Sequence, residues 1–178
     1  MVIISANNFN STGIDPQIIN QLTAESFGHS FINPVVERAM NEFNSFIGFI
    51  KEDNIVVGAG FAKEDSHRDY KYKTMFLHSF STRRDYQGRG ICKQLVNEFV
   101  KKFGKSHLLY LQVRINPDNM NEGAIRCYER NDFLLIPQAI NPSHGDGLNS
   151  FMVRIPTISR RKSKRRSKPN QSRRRKRR

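Results

Sequence analysis

Residues 74–113 admit few folds. The stretch around them reads YKYKTMFLHSFST, RRDYQGRG, ICKQLVNEFVKKF, then HLLYLQV. The first segment alternates well enough for a strand. In the third, Ile91, Leu95, Phe99 and Phe103 recur every four residues, and Val96 and Val100 widen that face. That is helical spacing. The fourth is a nearly continuous apolar run, as expected of a strand buried on both faces beside a parallel partner. Strand, glycine-rich turn, helix and strand make a βαβ crossover, right-handed by the general rule. Such a unit commits the chain to a layered α/β architecture.

The remaining segments add hairpins to that unit. VIISA opens as a short strand. Asp15-Pro16 is a helix start, since Asp caps and Pro suits the first helical position. Asn33-Pro34 repeats the device before VVERAMNEF. FIGFIKEDNIVVGAGFAKE reads as a hairpin turning at Glu52, Asp53 and Asn54. NEGAIRCYERND reads as a helix, FLLIP and SFMVRI as strands, with a polar loop over residues 138–149 between the strands. The expected order is β-α-α-β-β-β-α-β-α-β-β, in one α/β domain with a single mixed sheet.

Charge divides the chain in two. The formal net charge is +14, yet thirteen of the thirty Lys and Arg residues lie in residues 159–178, which hold no acid. Seventeen basic residues then face sixteen acidic ones in the rest, so the body is nearly neutral. The expected division is a folded domain over residues 1–157 and a disordered basic tail over residues 158–178, too poor in apolar residues to fold. Such a tail suits salt-dependent binding of nucleic acid without sequence preference, because it has no aromatics for stacking. It also suits a nuclear localisation signal. The N-terminus lacks the features of a signal peptide, and no apolar run approaches the ~18 residues of a spanning helix. The expectation is a soluble, intracellular protein with no membrane partner. Two cysteines, Cys92 and Cys127, give no disulfide framework; a reducing compartment is the simple reading. No His or Cys falls at metal-ligand spacing, so no metal is expected.

Two glycines, Gly88 and Gly90, stand where the helix must start. A helix N-terminus carries unpaired amides and partial positive charge, and binds phosphate when the backbone can be approached. Glycine permits that approach, and Arg89 and Lys93 add charge nearby. Neither the Walker-type loop nor the dinucleotide fingerprint is present. QGRGIC, residues 87–92, resembles the Q/R-x-x-G-x-G/A signature of the GNAT superfamily of acetyltransferases. NEGAIRCYERNDF, residues 121–133, resembles that family's N-x-x-A-x-x-x-Y-x-x-x-G-F stretch. Cys92 stands at the last Gly/Ala of the first motif, and Asp132 at the Gly before Phe133. The two motifs are separated by one helix and one buried strand, as in the family, and the likeness of element order runs over residues 2–155.

The resemblance implies roles. Acetyl-CoA is the expected cosubstrate, its pyrophosphate on the backbone of Gln87, Gly88, Arg89, Gly90, Ile91 and Cys92. Phe80, Ser81 and Thr82 are expected to bond the pantetheine arm through backbone groups, and Asn121 to contact that arm. Tyr128 matches the tyrosine that protonates the departing thiolate; the plain alternative is packing beside Ala124. His78 resembles a strand histidine of arylalkylamine N-acetyltransferases that helps to deprotonate the amine; the plain alternative is a half-buried strand histidine. His78 is expected to share a face with Phe76 and Phe80. Cys92, at a helix N-terminus, is placed for a lowered thiol pKa, while Cys127 reads as core. Phe27, Phe31 and Asp146 are candidates for the acceptor site.

The expected activity is transfer of acetyl from acetyl-CoA to a primary amine, by direct attack in a ternary complex, by a monomer or homodimer. A nucleic-acid-binding protein on this body, or a catalytically weak CoA-binding module, are the alternatives.

Overall fold

The protein is described by a computed structural model over residues 1–28, 34–65, 73–115, 122–136 and 148–156. Its strands are β1 (Val2–Ser5), β2 (Ser45–Glu52), β3 (Ile55–Asp65), β4 (Lys73–Thr82), β5 (His107–Ile115), β6 (Leu134–Ile136) and β7 (Leu148–Arg154). Its helices are α1 (Pro16–Phe27), α2 (Val35–Asn41), α3 (Ile91–Phe103) and α4 (Glu122–Glu129). Short 3-10 turns cover Ala6–Thr12 and Arg84–Tyr86. The strand and α-helix order is the one expected.

The seven strands form one sheet in the order β1-β2-β3-β4-β5-β7-β6. Strands β4 and β5 pair in parallel, from Lys73 opposite His107 to Leu77 opposite Leu111. The other adjacent strands are antiparallel. The β2–β3 turn holds Asp53 at φ 48° and Asn54 at φ 65°, the left-handed pair that a two-residue hairpin favours.

Helix starts follow local chemistry at α1 and tertiary chemistry at α2. Asp15 Oδ1 accepts from Gln17 N–H at 2.9 Å, and Pro16 occupies the first turn. Pro34 is itself the N-cap of α2 and offers no side-chain bond. The fully buried Asn20 of α1 takes over: its Oδ1 accepts from Val36 N–H at 3.0 Å and its Nδ2 donates to Glu37 at 2.8 Å. Helix α2 is also shorter than expected, ending at Asn41.

Helices cover the two faces of the sheet. Phe9, Ile19, Val36, Ile47, Phe49 and Phe61 pack on the α1–α2 side. Phe9 is fully buried, edge-on to Phe49. Its segment, Ala6–Thr12, is mostly Asn, Ser and Thr, yet it closes this core. On the other side Ile91, Leu95, Val96, Phe99 and Phe103 of α3 are buried, as their spacing predicts. Gly58 and Gly60 allow this approach. A Cβ on Gly58 would collide with Ile91, and one on Gly60 would lie 2.6 Å from the Phe80 ring.

Candidate active site

The sheet opens where chemistry is expected. Parallel pairing of β4 with β5 ends at Leu77 and Leu111, although β4 runs on to Thr82 and β5 to Ile115. The cause lies two residues further along β4. Ser79 takes φ 52°, and the β3–β4 register slips between Ala59 opposite Ser81 and Phe61 opposite His78. This bulge bends β4 away from β5 and leaves part of an inner strand without its ladder. Backbone amides and carbonyls in such a gap need partners, which an extended ligand can supply.

The bulge also turns the side chains. Phe80 was expected on the face of His78 and Phe76. It lies on the opposite face, edge-on to Phe99 at 5.6 Å and to Tyr128 at 6.1 Å. The extra residue at Ser79 shifts the two-residue alternation, so Phe80 points toward α3 and α4. Ser81 returns to the α1 side, buried 3.5 Å from Thr23 Oγ1 and 3.5 Å from the Ala59 carbonyl. Thr82 pairs with Gly58 at the end of β4.

Gly88 (φ 77°) and Gly90 (φ 84°) form the turn into α3. Among the described residues nothing lies within 4 Å of a Cβ built on either, so side chains placed there would meet no described neighbour. The first helical bond runs from Gln94 N–H to the Gly90 carbonyl at 2.9 Å. No side chain caps α3, and the amides of Ile91, Cys92 and Lys93 precede that bond. Gln87 N–H is used internally, donating to the Arg84 carbonyl at 3.2 Å. Arg89 lays its guanidinium 4.7 Å from the centre of the Tyr86 ring, beside the turn.

The cysteines depart from expectation. Cys92 and Cys127 are joined as a disulfide, with their Cα atoms 6.6 Å apart. Helices α3 and α4 pack side by side and bring together residues 35 apart in sequence. Cys92 therefore has no thiol proton to lose, and a reducing compartment does not follow from the cysteine count.

Tyr128 follows Cys127 and is buried against Phe80 and Phe133. Burial pushes its phenol up to about 12, so it stays protonated at neutral pH. His78 lies across the sheet, stacked between Phe61 at 5.6 Å and Phe76 at 5.2 Å. Its Nδ1 is 3.1 Å from Ser79 Oγ. Burial lowers its pKa to about 4, with Glu42 opposing and Lys63 and Arg38 reinforcing the shift. The imidazole is neutral at pH 7. The two candidates thus flank β4 from opposite faces at the point where it leaves β5.

Asn121, Phe31, Asp146 and the basic tail lie outside the described residues. Phe27 ends α1 and is half exposed. A groove of about 490 Å³ borders α1, the β2–β3 turn and residues 83–85, and none of the described candidate site residues lines it. Among the described residues no group of three His, Cys, Asp or Glu is placed for a metal, and no helix is long and apolar enough to cross a membrane.

Residues 17–133 match the acetyltransferase (GNAT) family. The chain belongs to that family. Solved structures agree with a GNAT fold at low sequence identity. Arabidopsis thaliana NAA60 in complex with a bisubstrate analogue aligns at TM-score 0.59 and 20% identity, over 79% of this chain and 93% of that one. The NatC complex bound to Gag peptide and CoA gives 0.60 and 19%, over 82% and 93%. An aminoglycoside 6'-N-acetyltransferase complexed with coenzyme A gives 0.64 and 15%, over 86% and 96%. No curated protein matches the sequence. The GNAT assignment accounts for the mixed sheet and the β4–α3–β5 crossover. The Ser79 bulge had no sequence signal beyond the small residues around it; Gly60, which accommodates Phe80, was visible only as part of VVGAG.

Proposed function

We propose that the protein is an N-acetyltransferase that moves the acetyl group of acetyl-CoA to a primary amine by direct attack in a ternary complex. The observation that carries this reading is the gap between β4 and β5, with the α3 mouth at its end and Tyr128 and His78 on either side of β4. In this proposal residues 1–157 form the catalytic unit and residues 158–178 a separate basic extension.

The open turn fits a pyrophosphate. Gly88 and Gly90 keep side chains out of the approach, the amides of Ile91, Cys92 and Lys93 supply donors, and the helix dipole favours negative charge. Residues 80–82 pair with β3 at Ser81 and Thr82 but not with β5, and the edge that faces away from β3 suits an amide-containing arm. Acetyl-CoA, when bound, supplies an acyl carbon activated as a thioester.

The amine nitrogen bonds to that carbon as the C–S bond breaks. The amine sheds a proton and the thiolate takes one up. The Tyr128 hydroxyl, uncharged at about pKa 12, is the proposed donor. Against a free thiol near 8.5, complete transfer is uphill by roughly 5 kcal/mol. Burial in the same apolar site raises the thiol's pKa too, and closes part of that gap. Tyr128 therefore begins as a hydrogen-bond donor to developing sulfur charge; its proton follows as the bond breaks, and the proton that the attacking nitrogen sheds goes to solvent, from which the phenolate is reprotonated.

His78 is proposed on the acceptor side. At pKa about 4 it is a poor match for an ammonium near 10. Full deprotonation by His78 would cost roughly 8 kcal/mol. The proton of the ammonium goes to solvent, and the neutral imidazole accepts a hydrogen bond from the amine, which it positions for attack. The test is an acceptor screen with full-length protein and acetyl-CoA, following thiol release. Thiol release that depends on an amine, with the matching N-acetyl product by mass, supports the reading. Acetyl-CoA binding without transfer to any amine refutes it.

A further inference from the structure

The groove of about 490 Å³ beside α1 is lined by none of the described residues to which the proposed function gives a role. Its volume falls in the range of small-ligand sites. Helix α1 contributes a single stripe, Ile18, Gln21, Leu22 and Glu25, at helical spacing. Ile55 and Val56 line the groove from the start of β3, and Arg83, Arg84 and Asp85 from the segment after β4. The Arg83 N–H donates to the Val57 carbonyl at 2.9 Å, which fastens that segment beside β3.

The apolar part of the lining is two-tiered. Leu22 and Val56 are 5% exposed and form a buried floor, whereas Ile18 and Ile55 are 48% and 42% exposed. An apolar group laid against the two isoleucines takes them out of water. From Ile18 to Glu25 the stripe rises roughly 10 Å, the length of two or three extended residues.

The charged part is used unequally. Arg83 Nε lies 3.7 Å from Asp85 Oδ2. Glu25 accepts from Gln21 Nε2 at 2.9 Å through Oε1, and its Oε2 has no partner among the described residues. Arg84 makes no side-chain hydrogen bond or ion pair among the described residues. Glu25 and Arg84 therefore line one groove without pairing with each other. A polycation meets Arg83 and Arg84 there, and a polyanion meets Glu25 and Asp85. A ligand with one charge of each sign at its ends and an apolar body complements both the charges and the floor.

We propose that this groove binds an apolar zwitterion, with its ammonium on Glu25, its carboxylate on Arg84 and its side chain against Ile18, Leu22, Ile55 and Val56. The forked donors of Arg84 suit a carboxylate. An apolar α-amino acid and a free di- or tripeptide share this chemistry. The proposal stands apart from the acetyltransferase reading, since it uses neither the α3 turn nor the β4–β5 gap.

The experiment titrates leucine and, separately, leucylleucine into isotope-labelled full-length protein without acetyl-CoA, and follows the backbone amide signals by NMR. Saturable shifts are expected along Ile18–Glu25, at Ile55 and Val56 and at Arg84, and the ligand that produces them identifies the source. Its N-acetylated and C-amidated forms each lack one charge and should bind at least about tenfold more weakly. Glu25→Gln should weaken the parent ligand and leave the N-acetylated form unchanged. Arg84→Gln should weaken the parent and leave the amide unchanged, so that each charge is assigned to its partner. Both side chains are exposed, and thermal melts of the variants should match wild type. No saturation by about 10 mM ligand, equal binding of the blocked forms, or binding that neither variant weakens overturns the proposal.

Discussion

The disulfide between Cys92 and Cys127 joins the first turn of α3 to the residue before Tyr128. It links the element proposed to hold pyrophosphate to the one proposed to hold the proton donor. A cross-link spanning 35 residues restricts the unfolded chain, which stabilises the fold by roughly 2–4 kcal/mol. Replacing both cysteines with Ala should lower Tm by several degrees or more, and reductant should lower wild type to a similar value. Thiol titration of the unfolded protein should find two thiols after reductant and none before. Two free thiols without reductant would show that the bond does not form.

Gly90 sits at φ 84°, where a β-branched residue is strained. Gly90→Val should weaken acetyl-CoA binding at least tenfold, because the side chain enters the approach to the α3 amides. The strain should also destabilise the protein by about 1–2 kcal/mol. Calorimetry and thermal melts separate the two effects. Unaltered affinity would count against the phosphate cradle.

Tyr128→Phe keeps the ring against Phe80 and Phe133 and removes the hydroxyl. Loss of a proton donor should cut kcat by about 100-fold or more, with acetyl-CoA affinity changed little. Stopped-assay kcat and calorimetric Kd form the pair of measurements. Equal turnover would reduce Tyr128 to packing.

His78 has a folded pKa near 4 against 6.5 unfolded. Between those values the unfolded chain binds the extra proton, so stability contributed by the neutral imidazole is present above pH 6.5 and is lost as pH falls toward 4. The full loss is at most roughly 3 kcal/mol. Denaturant titrations of wild type and His78→Phe should show a shallower fall in the variant across that window. Parallel curves would mean that His78 titrates normally.

Thirteen cations without an acid in residues 159–178 are expected to bind polyanions, and the proposed catalytic residues all lie outside that segment. Deleting residues 159–178 should abolish binding to DNA, and wild-type binding should weaken by about 1000-fold or more between 50 and 200 mM salt. Acetylation of a free amine should survive the deletion. Loss of that activity in a folded truncation would place part of the site in the tail.

Local chemistry wrote much of this fold into the sequence. The four-residue recurrence on α3, the apolar run of β5, the Asp15-Pro16 start and the Asp53-Asn54 turn each depend on neighbours within a few residues, so each was legible. The glycine turn was legible too, because an N-terminus needing open amides has few alternatives to Gly88 and Gly90. Other features required distant partners. Asn20 caps a helix 16 residues away, and Cys92 finds Cys127 because two helices pack. Phe9 is core only because β2 presents Phe49 to it. The bulge at Ser79 had the widest effect. One inserted residue parts β4 from β5, turns Phe80 toward Tyr128 and leaves His78 among the rings of the opposite face. A strand's alternation reads as continuous in sequence; whether it skips a residue is settled by packing against both neighbours, which exist only in the folded sheet.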